Sequence, residues 1–493
     1  MDLLSLLDQR EKNHVLIIRR VLMNGGKMTA SDLERVFDLS YNTLVSYLEE
    51  IRDTTKNLRA GVEIDVHRNT IEIDMDEMVP ISTLIEHYYQ QAINIRLIKH
   101  IGYSNVMTKP LLSKKLGISE SSVQRRVSQI NQQIKGFDIK ISANRFVGPE
   151  LQIRYFLYNV FSKIDMFQDT ETYQSVYLLA QKIQKDIIGY NDEALLYPLI
   201  VWLYIAKKRM HIANISRINL SQNQIKEIKK DDLYLKIKKR YQTFFYNKNE
   251  NHTEIECIYT YLFIISMGVL GIEDNYVQKM LKGNFPIDSL VAPINKKLMK
   301  TLESYFSVLT KRDAVRQDVK YQLIQMHLHM VIFDGFGVYF DNQTLEKKVR
   351  SYLDNYVDNI ATEMLQICLD ILEKDLSNEV WQLAYYRYQS IVYDLILEQD
   401  EPIIIGIDFR LNYILQQNMI QRLTRFLDVN VKLEKVMANQ SYDLVITNYD
   451  STKKSFHSLY TYRIAEFETE YDRRKIMALI EKIALERIKQ TTR

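Results

Sequence analysis

The sequence predicts a mainly α, multidomain chain, with two winged helix-turn-helix units at the N-terminus, two helical bundles and a small α/β domain at the end. Three observations carry this. One segment repeats at a constant offset of 79 residues, the pattern from about 155 to 397 is helical almost throughout, and short apolar strands take over after Pro402. A chain of 493 residues is too long for one hydrophobic core, and 46% hydrophobic with 26% charged residues is the balance of a folded protein.

The repeat lays "LERVFDLSYNTLVSYLEEI" (Leu33–Ile51) over "LSKKLGISESSVQRRVSQI" (Leu112–Ile130). Leu33, Phe37, Leu39 and Ser40 meet Leu112, Leu116, Ile118 and Ser119. Thr43, Leu44, Leu48 and Ile51 meet Ser122, Val123, Val127 and Ile130. Each copy reads as a short helix, a tight turn and a second helix, with Ser40 or Ser119 as its N-cap. Gly117 suits a turn that needs positive φ, and Asp38 in the other copy tolerates it less well. An alternating hairpin follows each copy: Val62–Asp74, turning at Arg68-Asn69, and Phe137–Ile153, turning at Ala143-Asn144. The units span residues 1–78 and 79–154.

The helical middle has two breaks, the polar "YNKNENHT" (Tyr246–Thr253) and "KGNFPIDSLVAPIN" (Lys282–Asn295), which predict bundles over 155–287 and 288–398. The most apolar runs, "LLYPLIVWLYIA" and "YTYLFIISMGVLGI", are too short to span a bilayer and read as buried helices. Residues 399–493 make the α/β domain. There "PIIIGID" and "YDLVITN" read as buried strands, "DVNVKLE" alternates, and Leu411–Phe426 and Tyr471–Lys489 have helical spacing, which implies parallel pairing.

Cys257 and Cys368 lie far apart in apolar surroundings and are expected to be buried free thiols. The start "MDLLSLLDQREK" has neither a basic n-region nor a long apolar core, so a cytoplasmic location and no membrane partner are expected. No P-loop, dinucleotide fingerprint, nucleophile elbow or HExxH helix is present, so neither an enzyme nor a cofactor is expected. His327 and His329 point roughly 200° apart on a helix, which argues against a shared metal. The 33 tyrosines, spread through the helical region, suit a core and interface role.

A helix-turn-helix points to duplex DNA, because the second helix of such a unit reads base edges in the major groove. With Val123, Val127, Ile130 and Ile134 facing inward, Ser121, Gln124, Arg125, Ser128 and Gln129 face outward. Gln suits adenine, Arg suits guanine, and Ser adapts to either. Charge separates the copies. Thr108–Arg145 holds eight Lys or Arg against two Asp or Glu, a net of +6, and Met28–Val66 holds four against eight, a net of −4. Phosphate attraction dominates affinity, so the second unit is expected to carry most of the binding despite an overall charge of only +3. Its candidate base readers are Gln124, Arg125 and Ser121, its candidate phosphate contacts are Lys114, Lys115, Arg126, Lys140 and Arg145, and Ser122, Ser128 and Gln129 are further candidate DNA contacts. Tyr41, Asn42 and Thr43 are the candidates in the first unit.

The stretch "SSVQRRVSQINQQIKGFDIKIS…RFVGPELQIRYFLYNVFSK" resembles the second helix-turn-helix and wing of the Mga/RofA/AtxA type of virulence regulator from Gram-positive bacteria. The domain order resembles that family along essentially the whole chain, and the sequence itself does so around residues 110–165. The resemblance implies that the bundles are phosphotransferase-system regulation domains (PRDs), whose histidines receive phosphoryl groups. Carried over residue by residue, these are His211 in the first bundle and His329 in the second, with His327 as the alternative. The fuller pattern has two such histidines per domain, and His252 is expected in a polar loop. The last domain resembles a IIB component of the same system. The IIB loop that carries a reactive cysteine is here "GIDFRLN" (Gly406–Asn412), so self-association is implied and phosphotransfer is not. The whole implies a transcriptional activator of virulence, surface-protein or metabolic genes. It would be a dimer or higher oligomer regulated by histidine phosphorylation, with promoter duplex, phosphocarrier proteins and RNA polymerase as partners. A phosphotransferase carrier component and a non-DNA-binding scaffold are the alternatives.

Overall fold

The fold comes from a computed structural model that describes residues 2–58, 62–67, 69–75, 81–104, 107–164, 167, 169–212, 220–244, 250–335, 354–372, 378–399, 402–409, 423, 431–437, 439–449, 456–464 and 470–491. The chain is mainly helical and divides into two compact units. The first holds residues 1–292, 323–340 and 375–383, and the second holds 293–322, 341–374 and 384–493.

The first unit opens with a buried 3-10 turn at Leu3–Leu6 and then α1 (Gln9–Met23), β1 (Lys27–Thr29), α2 (Ala30–Phe37), α3 (Tyr41–Leu58), β2 (Val62–His67) and β3 (Thr70–Met75). The three strands form an antiparallel sheet in the order β1-β3-β2. A linking helix, α4 (Ile81–Gln91), leads to α5 (Ile93–Gly102), α6 (Lys109–Leu116), α7 (Glu120–Gln133), β4 (Lys140–Ser142) and β5 (Arg145–Val147). Each run thus holds a short helix, a turn, a second helix and a two-stranded hairpin.

The repeat holds at the level of single atoms. The hydroxyls of Thr29 and Thr108 cap α2 and α6, accepting from the N–H groups of Asp32 at 3.1 Å and Leu111 at 3.4 Å. Asp38 (φ 51°) and Gly117 (φ 68°) end those helices in the left-handed region, at a cost of about 1 kcal/mol to the aspartate. The hydroxyls of Ser40 and Ser119 then accept from Thr43 N–H at 3.3 Å and Ser122 N–H at 3.2 Å, as the spacing predicts. Leu33, Leu44 and Ile51, like Leu112, Val123 and Ile130, are 1% exposed or less, so both copies use the same stripe as core. Arg52 donates to the Ile64 carbonyl, and Asn131, its counterpart 79 residues on, pairs with both backbone polar groups of Ile141. Each reading helix is thereby tied to the first strand of its wing.

The second hairpin is shorter than expected. Its strands cover only 140–142 and 145–147, joined by Ala143 (φ 47°) and Asn144 (φ 58°), a mirror-image turn that matches strand twist. Phe137 lies in a 3-10 turn, and Glu150 already starts α8 (Glu150–Phe161), all twelve of whose residues are buried. Alternation read across Pro149 carries the expected strand into what is a helix enclosed on every side. For the first hairpin, Arg68 lies outside the described residues.

There follow α9 (Thr170–Ile188), α10 (Glu193–Arg209), α11 (Gln222–Lys230), α12 (Asp232–Phe244), α13 (Glu250–Ser266) and α14 (Asn275–Leu281), of which α10 packs on α8 and α13 reaches it through Glu256 and Phe263. The Trp202 ring on α10 stacks on Phe263 of α13 at 4.4 Å. The first apolar run is indeed a buried helix, α10. The second stops as helix at Ser266, where Gly268 (φ 65°) turns the chain. His252 falls in the first turn of α13 and not in a loop, because polar residues are well tolerated where helical N–H groups still face water.

The second unit contains most of α15 (Ala292–Tyr305), α16 (Val308–Lys311), the first half of α17 (Asp313–Ile332), α18 (Asp354–Ile371) and most of α19 (Asn378–Gln399). The remaining residues of α17, from Leu323 on, belong to the first unit. A four-stranded sheet of β6 (Ile403–Asp408), β7 (Val431–Lys435), β8 (Ser441–Thr447) and β9 (His457–Arg463) follows, wholly parallel in the order β7-β6-β8-β9. Ile403, Ile405 and Ile407 pack with Ile476, Ile480 and Ile483 of α20 (Glu470–Thr491). The strand β9 is additional to the three expected. The predicted helix Leu411–Phe426 lies outside the described residues apart from Leu423.

Candidate nucleic-acid interface

The helix α7 presents Ser121, Gln124, Arg125, Ser128 and Gln129 as one exposed stripe, because Val123 and Ile130 bind its opposite face to the core. Ser122 is half-buried, its hydroxyl accepting from that of Ser119 at 2.9 Å. The Gln124 amide oxygen accepts from Lys109 Nζ at 2.8 Å. Lys109, the first residue of α6, escaped sequence reasoning because it lies at the far end of its helix from Lys114 and Lys115. Those two lysines are exposed, as are Lys140 and Arg145, which point outward from the wing while Ile141 and Phe146 point inward. Among the described residues Arg125 makes no ion pair.

Arg126 is different. Its side chain is only 12% exposed, and both terminal nitrogens donate to the Asp8 carboxylate at 2.9 Å. The sequence reading places Arg126 among the phosphate contacts; in this structure its guanidinium is turned to a carboxylate of the chain itself. A helical period sets position 126 on the flank of α7, against the start of α1, where a carboxylate already holds it.

In the first unit Tyr41 and Asn42 are exposed at the start of α3, and the Thr43 hydroxyl bonds Ser40 at 2.8 Å. Further along, α3 carries Glu49, Glu50 and Asp53, the wrong sign for a phosphate backbone. Glu50 is ion-paired to Arg10, and this partner holds its carboxyl below the usual range.

The three histidines differ sharply. His211 is exposed in the turn after α10, where neighbouring Lys208 pairs with Asp169 at 2.6 Å and Arg209 with Glu150. His329 is half-buried, its Nε2 sharing a 2.6 Å hydrogen bond with the Tyr155 hydroxyl on α8. Residues 332–335 continue that contact. Gln152 bonds the Ile332 carbonyl and Asp334, and a Cβ at Gly335 would lie 2.7 Å from the Phe137 ring just beyond α7. His327 is fully buried, so its ring is out of reach of a partner protein in this conformation.

Burial pushes the His327 imidazole down to about 3 from the ordinary 6.5. The unfolded chain therefore binds a proton that the folded chain refuses between those values, and stability falls as pH drops below about 6.5. Between about pH 7 and about pH 5.5, this residue is expected to cost about 1 kcal/mol of unfolding free energy. Urea titrations at the two pH values check this, and His327→Met should remove that part of the slope.

Cys257 and Cys368 are buried free thiols. Among the described residues, no cluster of His, Cys, Asp or Glu could hold a metal, and no helix is long and apolar enough to cross a membrane.

A short helix, a left-handed turn, a capped reading helix and a basic wing define a winged helix-turn-helix module of the DNA-binding class. Residues 77–161 match the family model described as the Mga helix-turn-helix domain, a stretch that ends with the last residue of α8. The chain thus carries an Mga helix-turn-helix domain, and the match supports its place among the Mga-family regulators. No curated protein matches the chain in sequence.

Proposed function

We propose that this chain is a DNA-binding transcriptional regulator, an activator, that takes promoter duplex mainly through α7 and the β4–β5 wing. The observation that supports it best is the exposed Ser121, Gln124, Arg125, Ser128 and Gln129 stripe beside exposed Lys114, Lys115, Lys140 and Arg145. A major groove about 12 Å wide admits such a helix, and the wing lysine and arginine suit the flanking phosphates. On the family match and the sequence resemblance, the reading extends to self-association, RNA polymerase and phosphocarrier proteins as partners, with two PRD-like bundles and a IIB-like last domain.

For regulation the reading favours His329. A phosphoryl group on its Nε2 would replace the Tyr155 hydrogen bond with negative charge beside the helix that leaves the wing. His211 is the accessible second candidate.

The test is binding of the full chain to promoter-length duplex across a salt series, beside Lys140→Ala/Arg145→Ala. Removing one cation that neutralises a phosphate should flatten the log–log salt slope by about 0.9, so the double variant should be shallower by nearly 2. Failure of the wild-type chain to retain duplex at low salt would overturn the reading.

A further inference from the structure

Both helices meet α1: α7 through Arg126 at its N-cap Asp8, and α3 through Tyr47 at His14 and Glu50 at Arg10. On α7, Arg126 grips Asp8 with two parallel hydrogen bonds of 2.9 Å, and its Nη1 also donates to Asn94 Oδ1 at 3.2 Å. The Asn94 amide in turn donates to the Leu6 carbonyl at 2.9 Å. On α3, the residue 79 positions earlier is Tyr47, whose ring packs edge-on against His14 of α1 at 4.9 Å. The same helical position in each copy thus meets α1.

The Asp8 side chain is 47% exposed, but its backbone is fixed. Asp8 is the N-cap of α1, and its backbone N–H donates to Glu11 in a capping box. Behind it Leu3, Leu4, Leu6 and Leu7 are all buried. A bidentate guanidinium–carboxylate pair with both partners anchored defines an angle as well as a distance. An isolated exposed pair would carry little such information.

We propose that the Asp8–Arg126–Asn94 clamp makes Arg126 a positioning residue that fixes α3 and α7 at one separation and one rotational phase, so that the chain reads a bipartite duplex with a fixed spacer. This rests on the DNA-binding reading above. The clamp explains how a unit with an acidic reading helix can still contribute: it is held at a set place on the duplex that its basic neighbour has captured. It also places Arg126 outside the set of DNA contacts.

The first measurement needs no DNA. Cysteines are introduced at exposed Glu49 on α3 and Gln132 on α7, where they accept spin labels while the buried Cys257 and Cys368 do not. The full chain, diluted with unlabelled protein, should give one narrow label–label distance. Asp8→Asn keeps the cap but removes the charge, and Arg126→Met removes the fork; both should broaden the distribution. Arg35→Met, which breaks an exposed pair with Asp32, should leave it narrow. A distribution left narrow by both clamp variants would overturn the proposal.

The second measurement selects sites from a random-sequence duplex library. Inserting half a helical turn, about 5 base pairs, within the selected site should cost the wild-type chain roughly tenfold in affinity and Asp8→Asn less than about threefold. Wild-type tolerance of the insertion would overturn the fixed spacer. If no duplex is selected while the distance results hold, the DNA-binding reading fails and the clamp stands.

Discussion

Arg154→Met should destabilise the first unit by about 3–5 kcal/mol. Arg154 is fully buried and donates to both oxygens of Glu256, at 2.5 and 2.6 Å, and to Glu150 at 2.8 Å. Glu150 is shared with Arg209, which also donates to the Gly102 carbonyl at 2.7 Å. Two arginines and two glutamates thus cancel in charge within the buried interior. Burial pushes the Glu150 carboxyl up, and the hydrogen bond and charge of Arg209, aided by Arg154, more than offset this, so it titrates below the usual range. Methionine at 154 fills similar space but strands the Glu256 carboxylate. Denaturation followed by tryptophan fluorescence checks the loss, since both Trp202 and Trp381 lie in the first unit. Arg154→Met/Glu256→Leu should recover most of it, because an apolar pair replaces an ion pair at little net cost. A single variant as stable as the wild type would show that water reaches the cluster.

Replacing Arg125 or Gln124 by alanine should weaken binding to a selected duplex by about 1–3 kcal/mol each, roughly five- to 150-fold. The loss should come with relaxed discrimination at one base position, which separates base reading from phosphate contact. Lys109→Met supplies the contrast. It releases the Gln124 amide from its 2.8 Å bond and should change preference at the Gln124 position more than overall affinity. Uniform weakening on all sequences by Arg125→Ala would reassign that side chain to the backbone. Competition binding against point-mutated duplexes makes the measurement.

The reading units were legible because local rules agree there. Caps at Ser40 and Ser119, the turn at Gly117 and the apolar stripe of α7 are each set by residues within a few positions, so a repeat at offset 79 displays them twice; the caps at Thr29 and Thr108 obey the same local rule and went unread. Long-range pairings left little local trace. Nothing near Arg126 in sequence announces Asp8, 118 residues away, and nothing near Arg154 announces Glu256. The short β1 strand is defined by its partner β3, and three residues carry no period. The strand β9 had a signal, the alternation of Tyr460 and Tyr462, whose hydroxyls reach Glu486 towards the end of α20 and Asp472 at its start. It was obscured by exposed Leu459 beside them.

The enclosure of α8 also bears on how such a chain can evolve. Its twelve residues bury both an apolar surface and the charges of Glu150 and Arg154, and its last residue closes the matched helix-turn-helix domain. A recombination event that joined a foreign domain after the wing would leave this helix without a casing. The junction after the wing is therefore a poor splice site. Point substitution along α8 leaves that casing in place, whereas a joint made after the wing would have to bring its own cover for twelve buried residues.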